Sequence, residues 1–130
     1  MASTEFRKRI PAKRILVVED EVVAAQTVQT VLTVDGHKVD LAPDGEQGLA
    51  MFQAGEYDLV ITDFKLGTMD GLELAAAVKE HSPTTPVVLI TAYAAKMESM
   101  GKVSNVELVL KKPFSVGDLH DALIKIFLPS

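Results

Sequence analysis

Four continuously apolar runs constrain the fold of this chain more than any other feature. They are "RILVVE" (Arg14 to Glu19), "LVIT" (Leu59 to Thr62), "VVLIT" (Val87 to Thr91) and "LVLK" (Leu108 to Lys111). A strand with one wetted face alternates polar and apolar residues. A strand covered on both faces does not, and parallel sheets are the ones so covered. A fifth run, "KVDLA" (Lys38 to Ala42), alternates and suits the edge of a sheet.

Between the runs the periodicity is helical. Ala24, Val28, Val31 and Leu32 share one face, as do Leu119, Leu123, Ile126 and Phe127. Capping-box spacing marks three helix starts: Asp44 with Gln47, Asp70 with Glu73, and Ser115 with Asp118. From Lys96 to Val106 the pattern predicts a helix that stops at Gly101 or runs on to Asn105, a residue that tolerates left-handed backbone. Strand and helix alternate five times, which predicts a doubly wound α/β domain with right-handed crossovers. A length of 130 residues is one ordinary domain.

Composition narrows the function. Apolar residues make up 48% and charged residues 24%, the balance of a globular chain. No apolar run approaches a membrane span, and no charged and apolar pair of a secretory signal opens the sequence. The absence of cysteine excludes thiol chemistry and suits the cytoplasm, the expected location. A net charge of −5 argues against nucleic-acid binding by this domain. The exception is "FRKRIPAKR", with five basic residues between Phe6 and Arg14. Residues 1–12 are expected to be a flexible, solvated basic tail ahead of a domain spanning 13–130.

In doubly wound sheets, ligands bind beyond the carboxyl ends of the strands, where the strand order reverses. The first run ends in Glu19, Asp20 and Glu21, the third in Asp63, the fourth in Thr91, and the fifth in Lys111 and Lys112 before Pro113. Taken singly, each has an ordinary explanation. Asp20 would be a helix N-cap, Thr91 a strand-end hydroxyl and Lys112 a solvated cation. Their recurrence at one edge of the sheet is not ordinary. A cation and a lysine sharing its pocket would offset the charge of Asp63. Carboxylates without histidine or cysteine favour a hard cation, and a shallow site with few protein oxygens suits Mg2+. A carboxylate beside a metal, an ammonium and a hydroxyl is equipped to receive a phosphoryl group as its nucleophile.

Rival sites fit less well. A haloacid dehalogenase-type phosphatase needs Asp-x-Asp after its first strand, where this chain has "VVEDE". A dinucleotide-binding turn needs glycines, and none lies between Arg14 and Val34. An EF-hand in "DFKLGTMDG" is blocked by Lys65 at a ligand position. His37, His81 and His120 show no ligand spacing and read as surface or core residues.

The motifs "ILVVEDE", "LVITDFKLGTMDGLEL", "VVLITAY" and "KKPF" occur in order, and together they resemble the receiver domain of two-component response regulators. The resemblance spans Lys13 to Leu128. It implies a flavodoxin-like five-stranded parallel sheet of order 2-1-3-4-5 and a signalling domain rather than an enzyme. Asp63 matches the phosphoacceptor, supplied by a histidine kinase or a histidine phosphotransfer protein. Asp20 matches a direct Mg2+ ligand, Glu19 a second acid acting through water, and the Lys65 backbone carbonyl a further ligand. Thr91 matches the hydroxyl that turns to the phosphoryl group. Lys112, not Lys111, matches the lysine that precedes a cis proline. Lys65 and Tyr93 fall where side chains tune the lifetime of the phosphoryl group.

Three positions depart from the family pattern. Val109 stands where a switch aromatic is common, Gly67 where a loop proline is common, and Glu19 where aspartate is commoner. The alternative is a receiver-like interaction module that works without phosphorylation. The output domain or partner is not specified by these residues.

Overall fold

In a computed structural model, residues 10–99 and 104–128 are described. Five strands, β1 (Arg14–Val18), β2 (Lys38–Ala42), β3 (Leu59–Asp63), β4 (Val87–Thr91) and β5 (Leu108–Lys111), form one sheet. Every neighbouring pair is parallel, and the order is β2-β1-β3-β4-β5. The helices between and after them are α1 (Val22–Val34), α2 (Gly45–Ala54), α3 (Gly71–His81), α4 (Ala94–Ser99) and α5 (Val116–Phe127). No helix among the described residues is long and apolar enough to cross a membrane.

The continuous apolar runs fill two cores. Leu16, Val60 and Leu89 face one side, where Phe52 of α2 and Leu74 and Val78 of α3 cover them. Ile15, Ile61 and Val88 face the other, against Val28 and Leu32 of α1 and Leu119 and Leu123 of α5. In α1 the fully buried residues are Ala25, Val28 and Leu32, so the buried stripe starts one residue later than Ala24. β2 lies at an edge as its alternation predicts. β5 is the other edge and is only half-buried despite its apolar sequence, because it has a neighbour on one side alone.

Both Asp70 and Ser115 cap their helices with complete reciprocal boxes. Asp44 caps α2, but the Gln47 side chain donates to the Asp44 carboxylate at 3.0 Å instead of returning to its backbone. The expected helix stop at Gly101 lies outside the described residues. Asn105 has φ 66 and sits in a turn, not in that helix. Most of the basic tail, residues 1–9, likewise lies outside the described residues.

Candidate phosphoacceptor and metal site

β3 lies at the centre of the sheet, and its last residue is Asp63, opposite Ile90 of β4. The strand therefore runs one residue further than its apolar stretch. β1 ends one residue earlier than expected, at Val18. Just past it, Glu19 still donates its N–H to Ala42 O of β2 at 3.0 Å, while its carboxylate accepts from the Glu21 N–H at 3.1 Å. Glu21 then caps α1 by accepting from the N–H groups of Val23 and Ala24. An N-cap role for Asp20 is thus replaced by Glu21, which leaves the Asp20 carboxylate available to the site.

Glu19, Asp20 and Asp63 each offer a carboxylate oxygen, and these atoms lie within 4.8 Å of one another. Lys112 Nζ donates to Asp63 Oδ2 at 2.7 Å and to Glu19 Oε1 at 3.4 Å. The other Asp63 oxygen accepts from the Phe64 N–H at 2.7 Å. Lys111, one residue earlier, is exposed at the end of β5. The Lys112–Pro113 peptide is cis.

Burial pushes the Glu19 carboxyl up to about 7, and the charge of Asp63 and the Asp20 side chain add to the rise against the opposing Glu21 N–H and Lys112. For Lys112, burial acts downward, but the hydrogen bond and charge of Asp63, with those of Glu19, raise its pKa overall. Three crowded oxygen donors, of which one ammonium touches Glu19 and Asp63, form a site short of positive charge. The donor set fits a hard divalent cation, without soft ligands.

Thr91 is buried at the end of β4, one strand over from Asp63, and its Oγ1 accepts from the Tyr93 N–H at 2.9 Å. The Lys65 side chain is exposed, with Nζ 5.2 Å from the centre of the Tyr93 ring. Tyr93 itself is 46% exposed. Val109 packs half-buried on β5, with no ring at that position. A narrow apolar cleft lined by Val17, Ala24, Ile61, Ile90 and Phe114 adjoins Glu19, Asp63 and Lys112.

Two glycines closely follow Asp63, Gly67 in the loop and Gly71 at the start of α3. Gly67 has φ 87, a value closed to proline. A Cβ at Gly71 would lie 2.4 Å from Asp63 O and 2.6 Å from Leu89 Cδ1, and the Gly71 N–H donates to Phe64 O at 2.7 Å. The spacing of Asp70 and Glu73 marks the helix start in the sequence; the close approach of Gly71 depends on the fold. Among the histidines, buried His37 accepts from the Lys13 N–H at 3.0 Å, His81 lies edge-on to Phe52, and His120 contacts Asp35.

A doubly wound parallel sheet with a central-strand aspartate, two further acids and a lysine at its carboxyl edge defines a flavodoxin-like domain of the chemotaxis-regulator type. Comparison with known proteins agrees. The family model of the response regulator receiver domain matches residues 15–124, and the chain belongs to that family. The transcriptional regulatory protein DltR of Streptococcus agalactiae is 38% identical over 110 residues, covering 82% of this chain and 48% of DltR. The chain thus spans about half the length of the transcriptional regulators it matches. Chemotaxis protein CheY4 of Vibrio cholerae superposes with a TM-score of 0.81 at 28% identity, covering 88% of this chain and 98% of CheY4. Response regulator TrrA of Thermotoga maritima, solved in complex with Mg(2+)-BeF, gives 0.77 at 31% identity, with coverage of 88% and 98%.

Proposed function

We propose that this receiver domain accepts a phosphoryl group on Asp63 from a phosphohistidine of a histidine kinase or histidine phosphotransfer protein. The observation that carries this reading is the Lys112 ammonium bridging Asp63 and Glu19 at 2.7 and 3.4 Å beside the three-acid cluster. An Asp63 oxygen forms a bond to phosphorus as the phosphorus–nitrogen bond breaks, and the electron pair returns to the donor imidazole, which takes a proton. Lys112 already touches the nucleophilic carboxylate and is placed to neutralise the transferred oxygens. Thr91 contributes its hydroxyl by turning towards the phosphoryl group, with the Tyr93 N–H left to follow it. Glu19, Asp20, Asp63 and the Lys65 carbonyl are the residues to hold Mg2+, which when bound supplies charge neutralisation of the phosphoryl oxygens.

On this reading the domain occupies 13–130 after a basic tail at 1–12. It works in the cytoplasm as a switch rather than as an enzyme with a separate substrate, and it signals to an output domain or a partner protein. The test is transfer from a small phosphorus–nitrogen donor. Phosphoramidate with MgCl2 should add one phosphoryl group to the intact protein, and chelation of the metal should stop it. Equal labelling in excess EDTA contradicts the metal assignment; no labelling in Mg2+ favours an interaction module without phosphorylation.

A further inference from the structure

The loop from Phe64 to Asp70 is held at its base by buried Leu66 and by the Gly71 N–H on Phe64 O. Its crest is held from outside, by the first turn of α2. Thr68 Oγ1 donates to Glu46 Oε2 at 2.5 Å, a contact between two exposed side chains from distant parts of the sequence. The next residue, Met69, packs so closely on Gly45 that an added Cβ there would lie 2.8 Å from Met69 Cβ. Two adjacent loop residues therefore meet two adjacent residues of α2. The left-handed Gly67 directly before them lets the chain reach that turn.

A side-chain ligand is aimed by its rotamer, but a backbone carbonyl is aimed by the whole loop. A loop that must be ordered as the cation binds subtracts that ordering cost from affinity, whereas a braced loop does not. The Lys65 side chain offers little anchorage of its own, being exposed over the Tyr93 ring. We propose that the first turn of α2 is a brace for the metal-binding edge. Through Glu46–Thr68 and Gly45–Met69 it holds the 64–70 loop, and so the Lys65 carbonyl, in its cation-binding conformation. Thr68, Met69 and Glu46 are then positioning residues, and α2 becomes an element whose displacement changes cation affinity. This rests on the reading of the Lys65 carbonyl as a metal ligand.

The experiment is a titration of the full chain with MgCl2, followed by amide resonances of the 64–70 loop, alongside thermal melting in EDTA. Thr68→Val keeps the shape and removes the hydroxyl without changing charge; Thr68→Ser restores it. Thr68→Val should weaken Mg2+ binding about three- to tenfold, the range expected for one lost hydrogen bond. Thr68→Ser should bind as wild type does, and Gly45→Ala, which displaces Met69, should weaken binding as Thr68→Val does. A lower melting temperature for Thr68→Val with unchanged Mg2+ affinity overturns the brace and leaves a structural contact only. Equal losses for Thr68→Val and Thr68→Ser also overturn it, because the hydroxyl is then not the cause. If wild type takes up no Mg2+, the proposed function fails together with the brace. If wild type binds and Thr68→Val binds equally well, the brace alone fails.

Discussion

With Lys112 replaced by alanine, the Glu19 and Asp63 carboxylates lose the ammonium that lies 3.4 and 2.7 Å from them. Both acids are largely shielded from water, with 7% and 12% of their side chains exposed, so their repulsion is not screened away. Lys112→Ala should lower stability in EDTA by about 1–3 kcal/mol, and MgCl2 should restore part of it. Urea unfolding with and without the cation measures both, and an equal deficit in the two conditions contradicts the shared-pocket account. At the other side of the site, Lys65 rests against Tyr93 at 5.2 Å from the ring centre. On the proposed function, this pair flanks the approach of water to a phosphoryl group on Asp63. Lys65→Asn and Tyr93→Ala should each shorten the phosphorylated lifetime, on the order of tenfold if a charged hydrogen bond is lost. Because the two side chains act together, the double variant should decay little faster than the faster single one. Decay after donor removal tests this; multiplicative effects would mean that the two act separately.

Among elements, the β3–α3 connection packs directly against Asp63, with Gly71 closed onto its backbone. Gly71→Ala drives a methyl group to within 2.4 Å of Asp63 O, in a place where backbone must move. It should cost about 1–3 kcal/mol, as overpacking does, and slow phosphorylation by shifting Asp63. A variant with unchanged melting and labelling would contradict the close approach. What the sequence reveals of these elements follows the range of each interaction. Strand cores, two complete capping boxes and the Lys112–Pro113 position are local patterns, and they stand where the patterns predict. The start of α1 carried no capping-box spacing of the kind that marks α2, α3 and α5. Glu21 outcompetes Asp20 for the cap because Glu19 accepts the Glu21 N–H and turns the chain one residue later. The Gly71 approach, the Thr68–Glu46 contact and the Lys65–Tyr93 stack join residues through the tertiary fold. No spacing in the chain encodes them.

For the whole molecule, two shifted groups give the metal-free stability a bent pH profile. Glu19, at about 7 in the fold against an ordinary 4.5, keeps a proton that the unfolded chain has already released. Its contribution is full below 4.5 and is lost as pH rises through 7. His37 acts with the opposite sign. Burial lowers its pKa from 6.5, with nearby Lys13 and His120 assisting and Asp35 opposing, so the unfolded chain takes the proton first. Its contribution is present above 6.5 and is lost as pH falls through the lower folded value. In EDTA, Glu19→Gln should remove the loss of stability between pH 4.5 and 7, leaving a profile that only rises with pH across that window. An unchanged downward slope in that variant would place the effect elsewhere.

The central claim is that Asp63 is the phosphoacceptor of a receiver domain whose acids and lysine converge at one sheet edge. Its most direct measurement is the intact mass of the protein after incubation with acetyl phosphate and MgCl2, for wild type and Asp63→Asn. Wild type should gain one phosphoryl group and Asp63→Asn none, with melting showing that the variant is folded. Labelling of Asp63→Asn to the wild-type extent would contradict the assignment.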